Sequence, residues 1–583
     1  MQKEILKDLL NVVKGITPPD CVIRNGRIVN VFTNAVEENL LIAIKHGFIA
    51  SIEKDGGNSP YGDAPVIDAE GLYLCPGFID SHTHIDSMYS FHALVPYAVK
   101  GGTTTIITEM GIVGDATGIE GAEVFIDSTK GYPVRCYFVA PAHTPPLPEL
   151  EGSLGISFKE FSKLLKREDF VGIGEAYWMR ALDGDDRFLK QAGLAMSLNK
   201  RLDGHAAGAR GKRLVEYALT GITSCHESVN VDEAIEKLRY GIYVMIREGF
   251  VRKELPELAR LKDHDVDKRR ILLVSDTFDP GMLCGEGYLD SVVRNAIRYG
   301  FAPIDAIKMA SINPADYYGL RHLGAIAPLR YADILFLKSL EDISIEKAMV
   351  NGEMVLEGGR CGRFLKEIKP YEYPLSMMQT ITAAKCVEDD FKVKADPKHQ
   401  EIRVIEVINE TITREARHRP SVKDGYIEKD LENDIIPVAV INRLNSKQRG
   451  NGFIKGTGIK NGAISTTIVW DTGNILVTGS SEKDMELAVN RIIDIQGGIV
   501  ITSGGEIIYE LAMPVFGTLS VESMEYLRDK VEELDIAIRT IGTSFSKPFL
   551  NIQTIPFTGL PFLRISDKGL ADIKTRKLVP LFV

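Results

Sequence analysis

Seven cysteines in 583 residues, at positions 21, 75, 136, 225, 284, 361 and 386, form no CxxC pair. An odd count so widely scattered excludes both a disulfide framework and a thiolate metal site, and it fits a reducing compartment. Long apolar runs are missing as well: none approaches the roughly 18 residues that a membrane span needs. Positive charge is not in excess. The net charge of −11 excludes the basic face by which proteins grip phosphate backbones. Lys3, Glu4, Lys7 and Asp8 lie in an amphipathic opening segment, which is no signal peptide. These absences predict a soluble, cytoplasmic protein with neither nucleic acid nor membrane as its partner. The length predicts more than one core.

What is present falls into stretches of different texture. Residues 1–69 open with a helix-like segment and then alternate in the period of strands, with Asn25-Gly26 and His46-Gly47 as turn signals. Between 70 and 323, eight short apolar runs, from "LCPGFID" and "TTTIIT" to "YVMIREG" and "ILLVSD", alternate with helical spacing. Such alternation implies parallel strands, and eight units imply a closed (β/α)8 barrel, whose chemistry gathers at the C-terminal ends of its strands. Residues 324–365 return to the strand-and-turn texture and are expected to complete a small composite β-sandwich with 1–69. A charged stretch over 366–402 reads as a linker, and 403–583 as a separate α+β domain.

The chemistry-bearing residues sit where the runs end. In "FIDSHTHID", His82 and His84 are two apart and share one face of a strand. The fourth run ends near Glu175, the fifth near His205, the sixth near His226 and the eighth on Asp276. Any one of these is ordinary at a strand end; six in register with the barrel are a metal centre. Imidazole and carboxylate ligands without cysteine suit Mn, Fe(II), Co or Zn. Five or six ligands exceed the needs of a single catalytic ion, so the set predicts two divalent ions sharing a carboxylate. A divalent ion lowers the pKa of bound water from about 15.7 towards about 7. With Asp276 as ligand and base, the expected chemistry is metal-assisted hydrolysis.

"PGFIDSHTHID" followed by "GGTTTII" resembles the amidohydrolase superfamily. "LDGHAAGARGK", "ITSCHES", "LVSD" and the late "GIKNGAISTTIVWDTGNILVTGS" together resemble its bacterial adenine deaminase family, over nearly the whole chain. The resemblance implies a metal-bearing barrel wrapped by a small β domain, with a C-terminal domain of that family's type. It implies that His82, His84, Glu175 and Asp276 hold one ion, and Glu175, His205 and His226 the other, with Mn or Fe(II) favoured. It implies a hydrolase acting on carbon–nitrogen bonds that converts adenine and water to hypoxanthine and ammonia through a metal-activated hydroxide. The alternative is another heterocycle on the same core: an N6-substituted adenine, another aminopurine or a cyclic amide. A small purine-like molecule is then the expected partner, together with a homo-oligomer, dimer or tetramer.

The chain also departs from that family. Glu109-Met110-Gly111-Ile112 stands where D-P-H-E is usual, "WDTGN" puts Trp470 and Gly473 in place of histidines, and Ser275-Asp276-Thr277 replaces T-D-D. Asp86 stands for a glutamate, while His143 is an additional histidine. Recognition groups are expected on the strand-end loops near Glu109–Ile112, Thr277 and His143, with His143 as a pocket candidate, and Arg247 is a candidate either for orienting substrate or for an ion pair with Glu248 or a neighbour. Glu227 is a candidate for proton transfer. Asp80, Asp86 and Asp203 are expected to orient the ligand imidazoles through their second nitrogens.

Overall fold

The computed structural model describes residues 3–56, 61–182, 186–362, 365 and 367–583. Each of the eight apolar runs becomes a strand: β1 (Phe78–Thr83), β2 (Thr103–Thr108), β3 (Arg135–Ala140), β4 (Phe170–Tyr177), β5 (Arg201–His205), β6 (Ser224–Cys225), β7 (Tyr243–Arg247) and β8 (Ile271–Val274). Neighbours pair in parallel from β1 to β5 and again from β6 to β8. Thr223 N–H donates to Leu202 O at 2.9 Å and joins β5 to β6. The ring closes where Thr83 bridges Asp276 in parallel. At that seam His84 N–H donates to Asp276 O at 2.8 Å and Asp276 N–H to His82 O at 3.0 Å. The closure is made by the backbones of three candidate ligands.

The flanking strands of residues 21–76 and 334–361 meet in one nine-stranded sheet. Tyr73–Pro76 pairs in parallel with the first of these strands and antiparallel with Ile334–Leu337. It then runs directly into β1, so the sheet anchors the strand that carries His82.

The C-terminal region holds an eight-stranded sheet between Ile402 and Ala512, with the helix Glu482–Asp494 packed on it. The stretch expected as a linker, 366–402, is tied down over much of its length; residue 366 lies outside the described residues. Ile381, Cys386 and Phe391 are buried in one cluster with Met485, Val489 and Ile492, and Thr382 and Ala383 both donate to Arg443 O. The apolar residues of this stretch are few and non-periodic, yet Ile381, Ala383, Cys386 and Phe391 pack into a cluster shared by that helix and the sheet.

This region covers the barrel's C-terminal mouth. Leu519–Ser520 adds in parallel to Met88–Tyr89, Lys547 Nζ donates to Phe250 O at 2.6 Å, and Asn474 Nδ2 donates to Gly152 O at 2.8 Å. Among the described residues, no helix is long and apolar enough to cross a membrane.

Candidate metal centre and its cavity

The C-terminal ends of the strands bring the six expected ligands together. His84 Nε2 lies 3.7 Å from Glu175 Oε1 and 3.6 Å from Asp276 Oδ1, and His82 Nε2 lies 3.7 Å from the same Asp276 oxygen. The other Glu175 oxygen, Oε2, lies 2.9 Å from His205 Nδ1 and 3.1 Å from His226 Nε2. One carboxylate therefore turns its two oxygens towards two different sets of nitrogens. Donor atoms about 2.0–2.2 Å from a common ion stand roughly 3.0–3.5 Å apart, close to these spacings. The His82 and His226 rings stack at 4.1 Å, back to back between the two sets.

Buried atoms supply the test of fit. His82 is 2 % exposed, and its Nε2 has no hydrogen-bond partner. Burial, then the charges of His226 and His84, hold its pKa well below the ordinary value. It is thus a neutral imidazole with a free lone pair, the form in which histidine binds metal. A buried polar atom left without a partner is costly, and a cation held among these donors removes that cost. The residues fit divalent ions.

Asp276 takes a left-handed φ of 59°, uncommon for a residue with a side chain and tolerated best by Asn and Asp. Its Oδ2 lies 3.3 Å from Arg247 NH1. Arg247 is the hub of a buried network. Its Nε donates to Glu254 at 2.6 Å, NH1 to Glu227 and Asp276, and NH2 to Glu227 at 3.1 Å and Glu254 at 3.1 Å. All five N–H groups of a guanidinium are taken by protein carboxylates. Arg247, a candidate for orienting substrate, lines the cavity and is held in place there by these carboxylates.

Glu227 does turn inward, because β6 ends at Cys225 and strand alternation does not extend to it. Burial raises its pKa, but His205, Arg247 and His226 outweigh that and bring it to about 2. Glu227 lies 3.5 Å from His226 Nε2 and 3.8 Å from His205 Nε2.

The three aspartates expected to orient imidazoles do something else. Asp80 accepts from Ser275 N–H at 3.2 Å and Ser275 Oγ at 2.5 Å, fixing the segment that delivers Asp276. Asp203 accepts from Ser224, Tyr317 and Tyr318, each at 2.7 Å. Asp86 accepts from Ile112 N–H at 2.9 Å. Among the described residues, none of the three hydrogen-bonds to a ligand imidazole. Asp80 and Asp86 hold backbone N–H groups and Asp203 gathers three hydroxyls.

Glu109 was counted as a departure and belongs to the site. It follows β2, is 4 % exposed, accepts from Glu175 N–H at 2.9 Å and lies 3.7 Å from His82 Nδ1. Burial and the Glu175 charge raise its pKa well above the ordinary value. A Cβ at Gly174 would come within 2.0 Å of its Oε2, so glycine there is what admits Glu109. The signal was legible: like the runs ending in Glu175 and Asp276, the second run ends in an acid.

The centre opens into a cavity of about 580 Å³, within the roughly 300–1,000 Å³ of small-molecule sites. His143, Ile112 and Thr277 line it, as expected of the strand-end loops. His143 is buried, its Nε2 has no partner, and its ring stacks on Tyr177 at 5.5 Å. Tyr177 itself was missed, although it lies two residues beyond Glu175 on the same face of β4. The cavity also takes Trp470, Asp471, Gln553 and Phe557 from the C-terminal region.

A model of the amidohydrolase family matches residues 73–355, and one of the adenine deaminase C-terminal domain matches residues 410–577. The chain is 34% identical over 590 residues to a protein of Clostridium botulinum (strain ATCC 19397 / Type A) named adenine deaminase, covering 100% of this chain and 98% of that one. It is also 34% identical over 581 residues to an adenine deaminase of Kosmotoga olearia, covering 99% of each. A third protein of that name, from Moorella thermoacetica, is 34% identical over 590 residues, covering 99% of this chain and 98% of that one.

Proposed function

The chain belongs to the adenine deaminase family, with an amidohydrolase barrel, and from that premise we propose that it hydrolyses adenine to hypoxanthine and ammonia at a two-ion centre. The observation that carries the reading is the division of the Glu175 oxygens between the His84 side and the His205–His226 side. His82, His84, Asp276 and Glu175 would hold one ion, and Glu175, His205 and His226 the other. Manganese or iron(II) suits the donor set, and zinc or cobalt is compatible with it. When bound, the ions supply Lewis-acid activation of water at neutral pH.

The chain's own residues supply the rest. Asp276 faces the imidazoles with Oδ1 and Arg247 with Oδ2. As the oxygen of water bonds to C6, the C6–N1 double bond opens and N1 takes one water proton; Asp276 takes the other and passes it to the exocyclic nitrogen as that C6–N bond breaks and the C6–O double bond forms. The products are the 6-oxo base and ammonia, and no redox partner is needed. Glu227, the other candidate for proton transfer, has both carboxylate oxygens engaged by Arg247 and anchors the guanidinium beside Asp276. The covering region screens the site from bulk water. His143, with an unpartnered Nε2 in the cavity wall, is a candidate to contact the base.

The spare room in the cavity favours one second reading, an N6-substituted adenine. Both are tested by assaying ammonia or amine release from adenine, N6-substituted adenines, other aminopurines, cytosine and small lactams with metal-loaded protein. Turnover of adenine is expected. A preference for substituted adenines corrects the substrate and keeps the chemistry, while turnover of lactams alone overturns the deaminase reading. Metal analysis should find about two ions per chain, the number the bridging carboxylate requires.

A further inference from the structure

The cavity has a wall that the barrel does not supply. A run of ring contacts leads from the ligand cluster to it. Tyr177 meets His205 edge to face at 5.1 Å, Phe557 meets Tyr177 at 5.9 Å, and Trp470 meets Phe557 at 5.3 Å. Beside them the Tyr177 hydroxyl donates to Asp471 Oδ2 at 3.4 Å, a long bond that leaves the carboxyl group with capacity for further partners. Asp471 is held at a left-handed φ of 72°. Its loop is fixed by Asn474, which donates to Gly152 O at 2.8 Å and accepts from Arg443 N–H at 3.1 Å. The accessible part of Asp471 opens into the cavity it lines. Burial, with the negative charges of Glu151 and Glu175, raises its pKa well above the ordinary value. A protonated carboxyl group presents one donor and one acceptor side by side.

The substrate offers the matching pattern. With C6 and its amine turned to the ligand cluster, the far edge of a purine presents the N3 acceptor beside the N9–H donor, and both ring faces are apolar. We propose that Trp470, Asp471 and Phe557 form the subsite that grips the base, Asp471 pairing with the N3/N9–H edge while the two aromatic side chains, in contact with one another, form an apolar wall against the ring. This rests on the deaminase reading and adds to it the part of the chain that selects the substrate. The C-terminal region is then half of the active site, and the free base is preferred over any purine substituted at N9.

The test uses the full-length, metal-loaded chain with adenine and 9-methyladenine. Wild-type protein should prefer adenine by about 10²-fold or more in kcat/KM, since a closed site built to pair an N–H rejects the analogue that lacks it. Asp471→Ala should raise KM for adenine by about tenfold or more with kcat changed far less, the signature of lost binding common to ground and transition states. Its preference against 9-methyladenine should shrink by a similar factor. Asp471→Asn keeps one donor and one acceptor, so it should stay within about threefold of wild type, and bound metal should be unchanged in both variants.

A second readout needs no turnover. The chain has two tryptophans. In Trp178→Phe protein, titration with hypoxanthine should quench the remaining Trp470 emission, and Asp471→Ala in that background should weaken the midpoint. Unchanged KM in Asp471→Ala, or unaltered Trp470 emission at calorimetrically verified saturation, overturns the subsite. A wild-type protein that turns over no aminopurine, yet shows the quench, overturns the reaction and upholds the subsite.

Discussion

The two walls of the cavity are built on opposite plans. On the barrel side, the side chains at the ends of β1, β4, β5, β6 and β8 converge from strands that a closed hydrogen-bonded ring fixes relative to one another. On the C-terminal side, Trp470, Asp471 and Phe557 ride on turns and short helices brought in from far along the chain. The first wall is polar and its members converge on one another; the second is largely aromatic, joined by ring contacts. A rigid ring holds charged donors at fixed spacing, which ion binding demands, whereas loops on a separate sheet are free to vary with the molecule they admit. The comparison teaches that reaction and selection are carried by different stretches of this chain.

The largest test of the barrel wall is Glu175→Gln. An amide presents one oxygen where the carboxylate presents two, so one of the two nitrogen sets loses its shared partner. Residues that merely support metal ligands cost about 10–100-fold in affinity or activity when changed, and loss of a bridging ligand should exceed that, with most bound metal gone. Metal analysis alongside circular dichroism separates loss of the ions from loss of the fold. A variant that kept both ions and near-normal turnover would sink the bridging role.

Next in size is Asp276→Asn, which should lower kcat by about 10²–10⁴, the range for losing a general acid–base, with KM for adenine changed far less. The His82 side of the centre should also bind its ion more weakly. An intact kcat would move proton transfer elsewhere, to Glu109 before Glu227, because Arg247 clamps Glu227 in its ionised form.

These two residues also show what was legible. His82, His84, Glu175, His205, His226 and Asp276 each end an apolar run, so local period and strand count suffice to set them on one rim. The second wall carries no such local mark. Asp471 meets Tyr177 across 294 residues of sequence, and neither periodicity nor run-ends report a contact set by the docking of two sheets. For a related reason the sequence leaves Arg247 open between a substrate contact and an ion pair. A cation at a strand end invites a substrate role, and only the positions of Glu227, Glu254 and Asp276 reveal that its donors are already engaged.

Arg247 gives the third test. Replacing one partner of a buried charge network strands the others, at a cost of about 3–5 kcal/mol, so Arg247→Gln should lower the unfolding free energy from urea titration by about that much and reduce turnover with it. Because every guanidinium N–H is bound to protein, KM for adenine should rise no more than kcat falls. A pure KM effect with unaltered stability would restore the substrate contact to Arg247 and blur the division between the walls.

The smallest expected effect probes why the second wall differs from the family pattern. Gly473 takes a φ of +60°, and a Cβ there would sit 2.7 Å from Arg443 NH1 and 3.3 Å from the Ala116 Cβ. Arg443 cannot simply swing aside, since NH1 donates to Gly473 O at 3.2 Å and NH2 to Phe516 O at 2.7 Å and Thr380 Oγ1 at 2.6 Å. The histidine usual at this position is excluded by a buried arginine that ties together the carbonyls of the same loop. Gly473→His should therefore destabilise the chain by about 1–3 kcal/mol through crowding and a strained φ, with adenine turnover changed by less than Asp471→Ala changes it. Pairing it with Arg443→Ala tests the cause. If the clash is with the guanidinium, the double variant should lose less stability in denaturant titration than the sum of the two single losses, whereas strict additivity would mean that the backbone conformation alone excludes the histidine.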